Sequence, residues 1–247
     1  MNPDYTHLED IELFRAIQEL DEELDAIDAP HMDLKVVGGF AMLLNNLRPH
    51  SKSNTDVDYV GPDLTEQILA IEEKVGARHN FESHWINNDV IMSGMTLEQF
   101  EMCTGKLNFI LKASLKRIDL YSLDEEGLIR MKLIALDTSY LGATACGGQF
   151  TRAKDLEDIR LLMENQKMTL RDLQKIGHPY VTCPNIYYVI RYYLKTRDIN
   201  ITNRDTLLKI VNNQKNEARA AHDKSKALEF LIRKLEEDVD GTDGRKN

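Results

Sequence analysis

Apolar residues Leu8, Ile11, Phe14, Ile17, Leu20, Leu24 and Ile27 recur at three- and four-residue steps. That spacing forms one stripe of an amphipathic helix, and Pro30 just beyond helps to stop it. Residues 34–37 (LKVV) make a short apolar run of strand length. Gly38-Gly39 follow, and then FAMLLNNL, which reads as a buried helix. RPHSKSNT at 48–55 is polar and rich in turn formers. DVDYV at 56–60 alternates polar and apolar positions as a half-buried strand does, and Gly61-Pro62 ends it. Residues 64–75 return to the helical period. Strands are expected near 78–86, 106–111 and 115–121, with a short helix in TLEQFEMC. The stretch from Trp85 to Thr104 otherwise follows no clear period. From Asp124 onward the pattern is helical, with helices expected near 124–141, 152–165, 169–176, 184–195, 203–211 and 213–237. The polar end DVDGTDGRKN reads as a disordered tail.

This order is mixed first and helical afterwards, so the expected class is α+β: a small mixed sheet flanked by helices, then a helical C-terminal part. The expected domains are 1–165, including the N-terminal helix, 166–237, which is helical, and the tail 238–247. No Pro- or Ser-rich linker divides the first two.

The chain has 247 residues, enough for a catalytic domain and a smaller helical one. No apolar run is long enough to span a bilayer, so no membrane partner is expected. The first residues lack the basic start and apolar core of a signal peptide, which predicts a cytoplasmic protein. The formal net charge of −10 argues against nonspecific wrapping of nucleic acid and leaves room for a local basic patch. Cys103, Cys146 and Cys183 form no CxxC pair, so reduced thiols are expected and a zinc site is not.

The chemistry lies in the order strand, Gly38-Gly39, helix, loop, Asp56-Val57-Asp58. A glycine pair after a strand lets backbone approach a ligand closely, and the N–H groups opening the next helix suit a phosphate. Side chains two apart on a strand share a face, so Asp56 and Asp58 project together, with Val57 and Tyr59 opposite. Two carboxylates aimed at one place are costly unless a cation lies between them. Magnesium takes oxygen ligands and commonly shares them with substrate phosphates. A lone glycine pair is more often a simple turn, and a lone DxD a solvated strand end; the combination is the specific signal. Lys132 sits in the apolar helical run LIRMKLIAL, where a lysine either snorkels outward or meets an anion. Asp155 and Asp158, at i and i+3, share a helix face, which by spacing alone also fits a solvated surface. IYYVIRYYL at 186–194 carries four tyrosines at helical spacing and is expected to be core rather than a base-stacking platform.

VVGGFAMLL…SKSNTDVDYV resembles the nucleotidyltransferase signature, hG[GS] followed by Dh[DE]h. The likeness is to the bacterial AbiEii-like and DUF6036-like groups, and it extends to Lys132-Leu133-Ile134-Ala135 and Lys154-Asp155-Leu156-Glu157-Asp158, over roughly residues 34–163. One departure is the sixteen residues between Gly39 and Asp56, a few more than the pattern has. The resemblance implies a metal-dependent nucleotidyltransferase using Mg2+ or Mn2+ and a nucleoside triphosphate (NTP). It implies metal ligands Asp56 and Asp58, with Asp119 in LKRIDLYSL as the candidate for a third carboxylate; the alternative for Asp119 is a partly exposed strand residue with no metal role. Gly38, Gly39, Lys52 and Lys132 would bind the nucleotide. Asp155, ahead of Asp158, would act near Lys132. The acceptor it implies is RNA such as tRNA, in a toxin with an antitoxin protein partner, or a small molecule as in adenylyltransferases. A non-catalytic nucleotide-binding module stays open, and Asp119 is the residue that discriminates.

Overall fold

The computed structural model describes residues 6–48, 56–90, 97–201 and 203–243. The expected N-terminal helix is two, α1 (Thr6–Glu9) and α2 (Glu12–Ala26). They part where the Ile11 N–H donates to the Leu8 carbonyl at 2.9 Å. Leu13, Phe14, Ile17, Leu20 and Leu24 of α2 are all buried, as the stripe requires. There follow β1 (Met32–Val36), α3 (Gly38–Leu44), β2 (Val57–Asp58), α4 (Glu66–Arg78) and β3 (Ile86–Asn87). Next come α5 (Leu97–Thr104), β4 (Phe109–Ser114), β5 (Ile118–Leu123) and α6 (Glu125–Ala145). The chain continues as α7 (Ala153–Asn165), α8 (Leu170–Gly177), α9 (Ile186–Thr196) and α10 (Arg204–Asp243).

Two local expectations change. The strand expected over 78–86 is two residues long and starts at Ile86. Helix α4, capped by the Thr65 hydroxyl, runs to Arg78, and Asn80 and His84 then take φ of +57° and +60°. Left-handed residues cannot extend a strand. At the other end, one helix covers the span expected to hold two helices and the start of a tail. Ile210, Val211 and Gln214 continue a single buried stripe, so nothing breaks the helix at residue 212; residues 244–247 lie outside those described. Among the described residues, no helix is long and apolar enough to cross a membrane.

The protein is mixed α+β, with a small three-stranded sheet flanked by helices. Its strand order is β1-β5-β4. β1 runs parallel to β5, from Met32 opposite Ile118 to Val36 opposite Ser122. β4 is antiparallel to β5 with a bulge between Leu111 and Ala113. β2 and β3 form a parallel pair, Val57 opposite Ile86 and Asp58 opposite Asn87. An antiparallel bridge between Val36 and Tyr59 joins the two sheets.

Helix α2 is tied to the far end of the β4–β5 hairpin by one carboxylate. Asp21, 4% exposed, accepts from the backbone N–H groups of Lys116 (3.1 Å), Arg117 (2.7 Å) and Ile118 (2.9 Å). The Arg117 side chain donates to Asp25, Asp28 and the Ala29 carbonyl.

The chain divides into two compact units, residues 1–138 with 154–182, and residues 139–153 with 183–247. The division therefore falls within α6 and not at residue 165. Most of α7 and all of α8 belong to the first unit, where Asp155 and Asp158 meet Lys132. In the second unit Ile186, Val189, Ile190 and Tyr193 of α9 are buried, as are Leu207, Ile210 and Val211 of α10. Of the α9 tyrosines, Tyr187 and Tyr193 are buried, and the Lys215 ammonium lies 5.7 Å from the centre of the Tyr188 ring.

Candidate functional site

The end of β1 is held against β2. The Val37 N–H donates to the Asp58 carbonyl, and the Val60 N–H to the Lys35 carbonyl, both at 2.9 Å. Gly38 follows at once, with φ of +68°, a conformation that L side chains rarely adopt. A Cβ built on Gly38 would lie 2.4 Å from Oδ2 of Asp58 and 3.3 Å from its Cβ. The Asp58 carboxylate therefore lies directly over the glycine turn. Val57 and Tyr59 are buried, Asp58 is half-buried and Asp56 is exposed, which is the alternation expected of the pair. Gly39, also half-buried, is the second residue of α3. Lys52 lies outside the described residues.

Asp119 is not at this end of the sheet. The parallel register sets it opposite Asp33, whereas Ser122 is the β5 residue level with Val36. Three residues of strand, roughly 10 Å, separate those two levels, and Gly38 lies beyond the second. Asp119 accepts from the Ser114 hydroxyl at 2.5 Å, and its carboxylate is 3.9 Å from Nε2 of His31. The structure thus does not bring Asp119 together with Asp56 and Asp58, against the expected set of three. The residue in register with Asp58 on its neighbouring strand is Asn87, whose Oδ1 accepts from the Asp89 N–H at 3.2 Å. Sequence reading missed both residues.

Lys132 and Asp155 do meet, in a buried network. The Lys132 ammonium is 2.6 Å from Oδ1 of Asp155 and 2.8 Å from Oδ2 of Asp158. Arg48 donates through Nε (3.1 Å) and Nη2 (2.5 Å) to Oδ1 of Asp158. The lysine side chain is 7% exposed and the two aspartates 0% and 1%. Two of the three ammonium donors thus face carboxylates. The phosphate contact expected of Lys132 is replaced, in this geometry, by an ion-paired role. Arg48 was not foreseen, because nothing local in the sequence pairs it with α7.

A groove of about 680 Å³ opens beside Asp56. Asp63, Glu82 and Asp89 line it together with Asp56, and Tyr59, Leu69, Trp85 and Ile86 supply apolar wall. Asn88 donates to Asp63 across its rim at 2.6 Å. The Tyr59 hydroxyl donates to the Pro62 carbonyl at 2.8 Å. Burial, with the charge of Asp63 adding to it, pushes that phenol up to about 12, so it stays protonated.

Glu72 stands one turn beyond Leu69 on α4, on the same helix face. Its side chain is wholly buried. Oε1 accepts from the Ile86 N–H at 3.1 Å, and its carbonyl accepts from Nε1 of Trp85 at 2.9 Å. Oε2 has no hydrogen-bond partner among the described residues. Gly76 makes room for the indole, since a Cβ there would lie 2.5 Å from Cδ1 of Trp85. Burial is the main cause that raises the Glu72 carboxyl above its ordinary range. A folded-state value above the unfolded one means that the native state holds the proton more tightly. Stability therefore falls as pH rises between the two values, and the loss persists at neutral pH. Glu72→Gln keeps the shape and removes the charge. Its unfolding midpoint in urea is expected to exceed wild type at neutral pH and to match it below the ordinary carboxylate range. An equal gain at both pH values would rule out a shift caused by burial.

In comparisons with known proteins, no family model, no curated protein and no solved structure matches this chain.

Proposed function

We propose that this chain is a nucleotidyltransferase-fold protein that moves a nucleoside monophosphate from an NTP to an acceptor hydroxyl. The observation that carries this reading is the Asp58 carboxylate lying over the left-handed Gly38, with Asp56 immediately before the strand that holds Asp58. The donor set, two carboxylates at one strand end, fits a hard divalent ion such as Mg2+ or Mn2+. When bound, such an ion supplies the positive charge that lets these carboxylates and a triphosphate share one place. Gly38 leaves the space in which the phosphates and Asp58 approach each other. Asp56 faces the groove, where an acceptor would lie. The acceptor oxygen bonds to the α-phosphorus, the bond to the pyrophosphate oxygen breaks, pyrophosphate leaves, and the hydroxyl proton passes to solvent. A tRNA acceptor, a toxin role with an antitoxin partner and a cytoplasmic setting belong to the same proposal.

The second reading, a nucleotide-binding module without catalysis, draws support from two observations. Asp119 stands opposite Asp33, away from the pair, and Asn87 is in register with Asp58.

Calorimetry with each triphosphate, with and without magnesium, tests what the readings share. Wild type is expected to bind at least one in a metal-dependent way. Asp56→Ala/Asp58→Ala is expected to lose that dependence while staying folded, and Asp119→Asn to keep it. Equal metal dependence in the double variant would exclude the site. Incubation with labelled NTP and RNA or small hydroxyl compounds separates the two readings, since only the transferase releases pyrophosphate and leaves label on an acceptor.

A further inference from the structure

His31 immediately precedes β1, and Asp33 is the second residue of that strand. Met32 between them is half-buried while both are exposed, so they share the outer side of the chain. The parallel register sets Asp33 directly opposite Asp119 on β5. Neighbouring strands lie about 4.8 Å apart, and like charges placed directly opposite are destabilising. Among the described residues, no lysine or arginine forms an ion pair with either carboxylate. An imidazole meets them instead: Nε2 of His31 lies 3.9 Å from Oδ1 of Asp119. One donor atom from each of the three side chains lies within 4.8 Å of the other two. Carboxylates alone would attract any cation, but a ring nitrogen converging with them selects among cations. Imidazole nitrogen with carboxylate oxygen suits zinc and its neighbours, whereas magnesium takes oxygen ligands. With bonds of about 2.1 Å at tetrahedral angles, ligand atoms stand about 3.4 Å apart. Small turns of the exposed His31 and Asp33 side chains therefore close the set. Asp119 is half-buried, and the Ser114 hydroxyl that donates to it fixes its carboxylate, as hydrogen bonds behind metal ligands do.

We propose that His31, Asp33 and Asp119 bind a divalent ion of the zinc class, with water in the remaining positions. The ion ties the segment entering β1 to β5, the central strand of the sheet. This site lies at the opposite end of the β1–β5 pair from Gly38, so it does not rest on the nucleotidyl-transfer reading. The cysteine spacing that argues against zinc has no bearing on it, since its donors are one imidazole and two carboxylates.

Zinc is the probe, titrated calorimetrically into the full chain after chelation of any bound metal, with excess magnesium present to fill oxygen-only sites. One-to-one binding is expected, weakening as pH falls through the imidazole range, because the ring must be neutral to bind. Zinc is also expected to raise the unfolding midpoint in urea by mass action. His31→Gln and Asp33→Asn each change an exposed side chain, and each is expected to weaken zinc binding at least tenfold. His178→Gln/Asp205→Asn removes an imidazole and a carboxylate from exposed positions elsewhere and is expected to leave binding within twofold. Asp56→Ala/Asp58→Ala is expected to do the same, which separates this ion from the one proposed beside Gly38. Equal losses in His31→Gln and His178→Gln/Asp205→Asn would mean scattered surface binding and would overturn the inference. So would the absence of saturable zinc binding, or binding kept in His31→Gln and lost in Asp56→Ala/Asp58→Ala.

Discussion

Lys132→Met is expected to lower the free energy of unfolding by about 3–5 kcal/mol, the range for removing one partner of a buried ion pair. The substitution retains the volume of the side chain and removes its charge. Asp155 and Asp158, 0% and 1% exposed, then lose the ammonium that bridges them, while Arg48 still donates to Asp158. Water cannot replace the ammonium where neither carboxylate has a solvent face. Urea unfolding followed by circular dichroism measures the change. Arg78→Ala is the comparison: it removes a cation that meets Glu19 and Glu23 with 40% of its side chain exposed, and a change under about 1 kcal/mol is expected. Similar midpoints for both variants would show that the buried network carries no special weight. Lys132→Arg, which keeps the charge and alters the shape, is expected to fall between them.

Gly38→Ala is expected to weaken magnesium-dependent triphosphate binding at least tenfold and to cost about 1–2 kcal/mol of stability for the left-handed backbone alone. Its methyl group would enter the space of the Asp58 carboxylate, 2.4 Å from Oδ2, so the carboxylate must turn away from the glycine. A double-mutant cycle isolates that contact. In an Asp58→Ala background the steric part of the penalty disappears and the backbone part remains, so the stability cost of Gly38→Ala is smaller there than in wild type. An equal cost in both backgrounds would place Asp58 elsewhere.

The glycine turn and the DxD strand were legible because both are local. A φ that only glycine tolerates and a period of two each leave a mark within five residues. Asp119 was misplaced for the opposite reason. The pattern Ile118-Asp119-Leu120 identifies a strand and a face correctly, but the level of a residue along a parallel pair depends on a partner far away in sequence. A shift of three residues takes a carboxylate from one end of a sheet to the other. Asn87 and Asp89 were missed because β3 has only two residues, too few for any period to register, after left-handed turns at Asn80 and His84. Lys132, Asp155 and Asp158 were visible as odd charges at helical spacing. Arg48 was not, since its partner is 110 residues away. The groove was invisible for a related reason: its acids come from separate segments, and no single window of sequence holds the set.

The position of β5 has a consequence for synthesis. It is the middle strand of β1-β5-β4 and the last of the three to leave the ribosome. Until it emerges, β1 has no parallel neighbour, and Asp21 cannot reach the three amides that lie 95–97 residues downstream. A nascent chain halted before Ile118 thus holds a strand with an open edge and an acidic helix whose amide partners are incomplete. Holdase chaperones are expected to retain such stalled fragments and to release the chain once Ile118–Leu123 has been made.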